Sequence, residues 1–520
     1  MFKIWNKNTL ISVRQDLKIK WDCNSYHGIY LLIFVRTSKT CRIFPNFVPQ
    51  TQKSMRVEQL YTKCLAEAAY FIESQGEIAV IDPLREVQPY LDLAEQWNGK
   101  IKYIFETHFH ADFVSGHLDL ARKTNAPIVY GPQSNPSFDC IVAADNQEFQ
   151  VGAVKIRVLH TPGHTPESVT YLLIDEEGKE HAIFTGDTLF LGDVGRPDLA
   201  IKGDLTQEDL AGMLYDSLRT KLMVLPDDVI VYPGHGAGSS CGKNMSSETV
   251  GTLGEQKQTN YALRTDVSKA DFIQELTEGI LPPPQYFPKN AMMNKNGYDS
   301  FEEVVERGVK PLTVEQVREA EASGALVLDV RNQDEFIKAH IPSSLFIGLN
   351  GTFAMWVGAL IEDIKQPLVL VVPEGKEEEA VTRLARVGYD HCIGFLEGGI
   401  AAWTAAGQSV ETITSIQASE LETIFDSVSL VDVRKPGEFS AEHVDGAKHY
   451  PLDFMLDNPH VLDRSKTYHV HCAGGYRSVI AISLLKRWGY TNLVDIAGGY
   501  GAIKKTQLPV TDFVCSSGNS

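Results

Sequence analysis

The chain has 520 residues, 43 % of them apolar and 22 % charged. At roughly 100–200 residues per domain this supplies three or four cores, which excludes a minimal binding module and a disordered chain. Its 48 Lys and Arg face 67 Asp and Glu, a net charge of −19, and such a chain repels the phosphate backbone it would have to neutralise, which speaks against nucleic acid as a partner.

Residues 1–54 are basic and acid-poor, and Met55 looks like a second beginning. The segment reads as a poorly ordered extension, with a targeting presequence as the other reading. Its apolar run Gly28–Val35 falls well short of the roughly 20 residues that span a bilayer, so no membrane segment is expected. The eight cysteines are scattered along the chain, as in a reducing compartment. A cytoplasmic location follows, with an organelle left open.

From Met55 onward, short apolar runs end in polar motifs: IKYIFETHFHAD, VKIRVLHTPGHT, HAIFTGDT and DVIVYPGHG. Each reads as a strand followed by a loop, and loops at strand ends are where a rigid scaffold carries chemistry. A first domain is expected over 55–285. LPPPQYFPKNAMMNKNG, Leu281–Gly297, is rich in Pro and Asn and breaks any helical or strand period, so a linker is expected over 286–310.

The remainder is an internal repeat of two domains, expected at 311–410 and 411–512, with a tail at 513–520. Asp329-Val330-Arg331, Glu335-Phe336 and His340 answer Asp432-Val433-Arg434, Glu438-Phe439 and His443, and Gly398-Gly399 answers Gly498-Gly499. Strand-like and helical runs interleave in each copy, the pattern of a parallel sheet with helices on its faces.

His108, His110 and Asp112 alternate, so in an extended segment all three face one pocket. His164, Asp187 and His235 add donors from three further strand ends. Six such groups together point to a metal site. The set resembles the metallo-β-lactamase fold, with its H-x-H-x-D-H signature, except that Phe113 stands where the final histidine belongs. A phenyl ring cannot coordinate, which favours one ion over two. THFHAD, PGHTPES, GD and GRPD resemble the persulfide dioxygenase branch of that fold.

That resemblance implies one Fe(II) per chain, held by His108, His164 and Asp187, with Zn as the alternative. His110, Asp112 and His235 would orient ligands or serve as alternative ligands. It also implies that Arg196 meets a substrate carboxylate; a surface salt bridge is the plainer reading. Cys241, after the last metal loop, is either a reactive thiol near the substrate or a small packing residue.

In the last domain the run YHVH leads into Cys472-Ala473-Gly474-Gly475-Tyr476-Arg477-Ser478 and then an apolar helix. Backbone N–H groups and the helix dipole stabilise a thiolate or persulfide there, and Arg477 adds positive charge. Ala473, Gly474, Gly475, Tyr476 and Ser478 form the expected cradle, with Cys472 and Arg477 as catalytic candidates. The loop resembles that of rhodanese sulfurtransferases. Protein phosphatases place five residues between Cys and Arg, whereas four stand here. In the first copy Pro373 aligns with Cys472 and Glu378 with Arg477, within an acidic run Glu377–Glu379, so this copy is expected to be a noncatalytic spacer.

The fold class expected is therefore α/β multidomain: an αββα metallo-β-lactamase sandwich plus two rhodanese-like parallel-sheet domains. The resemblance implies oxidation of a low-molecular-weight persulfide by O2 to sulfite, coupled to sulfur transfer onto sulfite or another acceptor. A homo-oligomer is compatible with this. Two rivals stand beside it: a zinc thioester hydrolase of glyoxalase II type fused to a sulfurtransferase, and a noncatalytic sulfur-carrier scaffold.

Overall fold

A computed structural model describes residues 2–6, 9–13, 55–200, 205–243, 245–280 and 282–511. The strands Phe2–Asn6 and Thr9–Val13 pair antiparallel within a unit of their own, Met1–Ser54. The rest of the N-terminal extension and the tail at 513–520 lie outside the described residues. Among the described residues no helix is long and apolar enough to cross a membrane.

The chain from Met55 begins with two six-stranded sheets. One runs in chain order from Arg56–Thr62 to Ile141–Val142, and the other holds Glu148–Val151 through Gly251–Thr252. Their inner faces meet in a core that joins Ala68, Tyr70 and Phe105 to Ile156, Tyr171 and Phe184. Helices Gln88–Gln96 and His117–Thr124 cover the first sheet, and helices Gln207–Ser217 and Lys269–Thr277 the second. Covered on both faces, the strand Glu67–Ser74 is buried along its whole length, as strands between two layers are.

Each repeat that follows is a five-stranded parallel sheet. Thr414–Ile416, Leu493–Ile496, Tyr468–His471, Ser429–Asp432 and Lys448–His449 lie in the order taken by Pro311–Leu312, Cys392–Leu396, Leu368–Val371, Leu326–Asp329 and Leu345–Phe346. The shared DVR motif has the same task in both. Arg331 closes onto Asp329 at 2.6 Å and onto the Ala339 carbonyl at 2.8 Å, and Arg434 onto Asp432 and the Glu442 carbonyl at the same distances.

The expected linker is corrected. Residues Phe287–Asn296 and Phe301–Gly308 are helices, and Tyr286, Phe287, Asn290 and Asn294 are buried. Pro288 stands in the first helical turn, where its missing N–H costs nothing. Gly297 ends the helix at φ 96, a conformation that favours glycine.

These helices and the first repeat pack directly on the sandwich. One continuous core links Phe113, Phe190 and Cys241 to Tyr286 and Phe287, to Phe353 and Trp356, and onward to Val479 and Ile480. Arg85, fully buried, makes a bidentate pair with Asp390 at 2.8 and 2.7 Å, donates to the Ala385 carbonyl and stacks over Tyr298. Arg386 of the first repeat pairs with Glu86 and reaches Cys64 Sγ at 3.3 Å. Between the repeats, the Tyr476 hydroxyl donates to the Gly348 carbonyl at 2.7 Å and the Phe346 N–H to Ser483 Oγ at 3.0 Å.

Candidate metal site and thiol loop

The strand Lys100–Phe105 delivers the loop that holds the first histidines, and every residue from Glu106 to Gly116 is buried. The loop is not extended, which corrects the expectation of one shared pocket face. Its three donors separate into three groups: His108 with His164 and Asp187, Asp112 with His235 and Cys241, and His110 with Asp82 and Glu106.

The first group fits a single metal ion. His108 Nε2 and His164 Nε2 lie 4.0 and 3.5 Å from Asp187 Oδ2, an oxygen that has no hydrogen-bond partner although it is buried. Such an orphan inside a protein calls for a ligand. The opposite ring nitrogens are fixed. His164 Nδ1 donates to the Arg196 carbonyl at 2.8 Å. His108 Nδ1 meets Thr107 Oγ1 at 3.0 Å, and that hydroxyl gives its own proton to Asp82 Oδ2 at 2.8 Å. Both Nδ1 atoms therefore carry the hydrogen, and both Nε2 lone pairs face the carboxylate. Burial pushes the His108 imidazole well below its usual pKa, so it stays neutral as a ligand must.

His235 braces this group. Its Nδ1 donates to Asp187 Oδ1 at 2.7 Å and its Nε2 to Asp112 Oδ2 at 2.8 Å. Burial opposes a charge on the ring, but the two carboxylates outweigh it and push its pKa well up. The Asp187 carboxyl is correspondingly held far below the carboxylate range, with burial overcome by His235, His164 and His108. His110 lies behind the site, 3.1 Å from Asp82 and 3.4 Å from Glu106. His235 and Asp112 are thus tied to each other and to Asp187, and His110 stands against Asp82 and Glu106.

Cys241 does lie beside the site, within 4.8 Å of the Asp112 and His235 donors. Its thiol is pushed well up by burial and then by Asp112 and Asp187, which favours the protonated form over a reactive thiolate. Of the two readings of Arg196, the structure shows a salt bridge. Its guanidinium already grips a carboxylate, that of Asp198, at 2.6 and 2.7 Å, and it is buried rather than on the surface. What Arg196 gives the site is its main-chain carbonyl, the acceptor that orients His164.

Asp82, Glu106 and Glu67 escaped the sequence reading. Asp82 fixes the Thr107 N–H at 2.7 Å as well as its hydroxyl. Glu67 is buried without a hydrogen-bond partner and pairs through its backbone with His235. The signal was available for Asp82, which ends the apolar run EIAVID just as the histidines end theirs.

The thiol loop closes a strand-to-helix turn between Tyr468–His471 and Tyr476–Arg487. Cys472 Sγ accepts the Gly475 N–H at 3.1 Å, and Gly475 has φ 99. Ser478 Oγ stands 3.7 Å from the sulfur and is oriented by Asp495 at 2.7 Å. The second Gly-Gly pair makes this curvature possible: a Cβ on Gly499 would come within 2.3 Å of the Cys472 carbonyl. The Tyr500 and Gly501 N–H groups instead take the Cys472 and Ala473 carbonyls, at 2.6 and 3.0 Å. With its carbonyls bound outward, the loop turns the Gly475 N–H toward the sulfur, the way a nest meets an anion. Arg477 is paired with Glu438 at 2.6 and 2.8 Å. Tyr476 contributes its backbone position alone, since its side chain is spent on the first repeat.

The metallo-beta-lactamase superfamily profile matches residues 62–139 and 140–235, and the rhodanese-like domain profile matches 313–406 and 417–506. The crystal structure of a metallo-beta-lactamase from Staphylococcus aureus subsp. aureus COL is 32 % identical, over 66 % of this chain and 99 % of that one, with a TM-score of 0.59. The chain belongs to the metallo-beta-lactamase superfamily and carries two rhodanese-like domains. Among curated proteins, the cytoplasmic hydroxyacylglutathione hydrolase of Arabidopsis thaliana is 34 % identical over 31 % of this chain, and this chain spans 60 % of its length. Persulfide dioxygenase ETHE1, mitochondrial, of Homo sapiens is 29 % identical over 40 % of this chain and 74 % of its own length.

Proposed function

We propose that the metallo domain oxidises a low-molecular-weight persulfide with O2 in an Fe(II)-dependent reaction, and that the Cys472 domain moves sulfane sulfur to an acceptor. The overall balance is RSSH + O2 + H2O giving RSH, sulfite and two protons. Sulfite as acceptor then takes the sulfur of a second persulfide to form thiosulfate and RSH. The observation that carries this reading is the converging triad His108, His164 and Asp187, with Phe113 where a further ligand would stand. Two imidazoles and one carboxylate suit Fe(II), which when bound supplies open positions where a sulfur anion and dioxygen meet.

The chain's own residues do the rest. Thr107 and the Arg196 carbonyl hold the two imidazoles in the ligating tautomer. His235 fixes the carboxylate plane and spreads its charge to Asp112, and the buried walls restrict water. In the last domain Cys472 takes the sulfane sulfur, and the Gly475 N–H stabilises the resulting anion.

A hydrolytic reading has its own support. Asp112, His235 and Cys241 offer a second donor set, and the plant hydrolase is similar to this chain. Anaerobic purification, metal analysis and oxygen uptake across a panel of persulfides separate the two. Iron near one per chain with persulfide-dependent O2 consumption is expected. Zinc with thioester cleavage and no oxygen uptake would overturn the dioxygenase reading.

A further inference from the structure

The noncatalytic repeat and the helices before it have no task in the chemistry above, yet they contact the loop that bears His108 and Asp112. The two halves of that loop are held differently. The first half is fixed from within the sandwich: the Thr107 N–H by Asp82, the Thr107 carbonyl by the Val169 N–H, and the Phe109 N–H by Glu167. The second half is fixed from outside it. Asn294 Nδ2 donates to the His110 carbonyl at 2.8 Å and to the Phe113 carbonyl at 2.7 Å, while its Oδ1 accepts the Ser115 N–H at 2.8 Å. The Val114 N–H donates to the Arg386 carbonyl at 2.7 Å, and the Tyr298 hydroxyl donates to the Ser115 carbonyl. Five buried backbone groups between His110 and Ser115 thus find their partners beyond residue 285.

From this we infer that Asn294 is a positioning residue for the metal site, and that the noncatalytic repeat serves as the outer wall of the metal loop. Its amide is 1 % exposed and uses both donors and its acceptor on one short stretch. No other side-chain type offers that set in so short a reach. Asp112 lies inside the clamped stretch, between the two carbonyls that Asn294 holds, and Asp112 anchors His235, which anchors Asp187. The clamp therefore reaches the ligand carboxylate through two hydrogen bonds. Phe113 gains a reason as well. Its fully buried ring lies 4.3 Å from the His110 ring, tilted by 33°, and belongs to the core shared with Tyr286 and Phe287. Where a histidine would have pointed at a second ion, the chain has an apolar anchor for the docked helix. This inference holds for either metal chemistry.

The test uses the full-length chain with Zn(II), and with Fe(II) under anaerobic conditions, each titrated against a competing chelator. Asn294→Asp keeps the acceptor and the shape but replaces both donors, and Asn294→Ala removes all three bonds. Both are expected to weaken metal affinity about 10–100-fold, the range seen when a ligand's outer hydrogen-bond partners are lost, while Cys472-dependent sulfur transfer stays at the wild-type rate. Tyr389→Phe is the control. It removes a buried hydroxyl bond to the Ile361 carbonyl of 2.5 Å within the same repeat, and should lower thermal stability without moving metal affinity. Unchanged affinity in both Asn294 variants, or equal loss in the control, would overturn the inference. Should the variants not fold, hydrogen exchange of the wild type decides. The Val114 and Ser115 amides should exchange as slowly as the central strands, and exchange at the rate of an open loop would refute the clamp.

Discussion

The two repeats share a strand order, an Asp–Arg lock and a His ring tied to a carbonyl four residues back, His340 to Phe336 and His443 to Phe439, both at 2.8 Å. They differ in which end of one helix they use. In the second repeat the N-terminal end of Tyr476–Arg487 carries the thiol loop, and Gly499 is pressed against it. In the first, Pro373 and Lys376 close a plain turn, a Cβ on Gly399 would meet nothing within 4 Å, and the C-terminal end of Glu377–Arg386 grips the metal loop instead. A parallel sheet with helices is a neutral frame. The turn around one sulfur, rather than the fold, is what separates the two copies.

The largest effect expected from breaking this comparison is on chemistry. Cys472→Ser should abolish sulfur transfer while metal-dependent turnover survives, and Pro373→Cys should gain none because the first repeat has no nest. Assays of sulfane sulfur transfer and oxygen uptake on the same preparations check both. Next comes the joint between the sandwich and the first repeat. Asp390→Ala strands the buried Arg85 and should cost about 3–5 kcal/mol in denaturant unfolding, the range for breaking a buried pair.

A pH effect follows. Burial, only partly offset by the Phe336 carbonyl, holds His340 down at about 4 against an ordinary 6.5. The unfolded chain therefore binds the extra proton first. The stability this residue contributes is complete above pH 6.5 and is lost as pH falls toward 4, up to about 3 kcal/mol. His340→Gln should flatten that part of the stability profile. The smallest effect expected is for Tyr476→Phe, which removes one bond between the repeats and should cost about 1 kcal/mol in thermal or chemical unfolding.

What could be read from the sequence was local. Apolar runs ending in His or Asp marked the strand ends, and the repeated DVR and Gly-Gly motifs marked two copies of one domain. What could not be read depended on partners far along the chain. Asn294 looks like a loop residue because nothing nearby says that it faces a buried backbone. Arg196 was open to a substrate role or a surface salt bridge, and its neighbour Asp198 holds it in a pair that is buried. Alternation suggested that His108, His110 and Asp112 point together. The loop is folded instead, and each donor meets acids or imidazoles supplied by a different strand.

The Tyr476 hydroxyl bond to Gly348 fastens the helix that begins at the reactive sulfur to the same repeat that walls the metal loop. The two centres therefore share one packed core. On the proposed reaction, sulfite made at the metal centre leaves as a free molecule and reaches Cys472 by diffusion, and an aldehyde added to the buffer, which traps sulfite as an adduct, should lower the yield of thiosulfate.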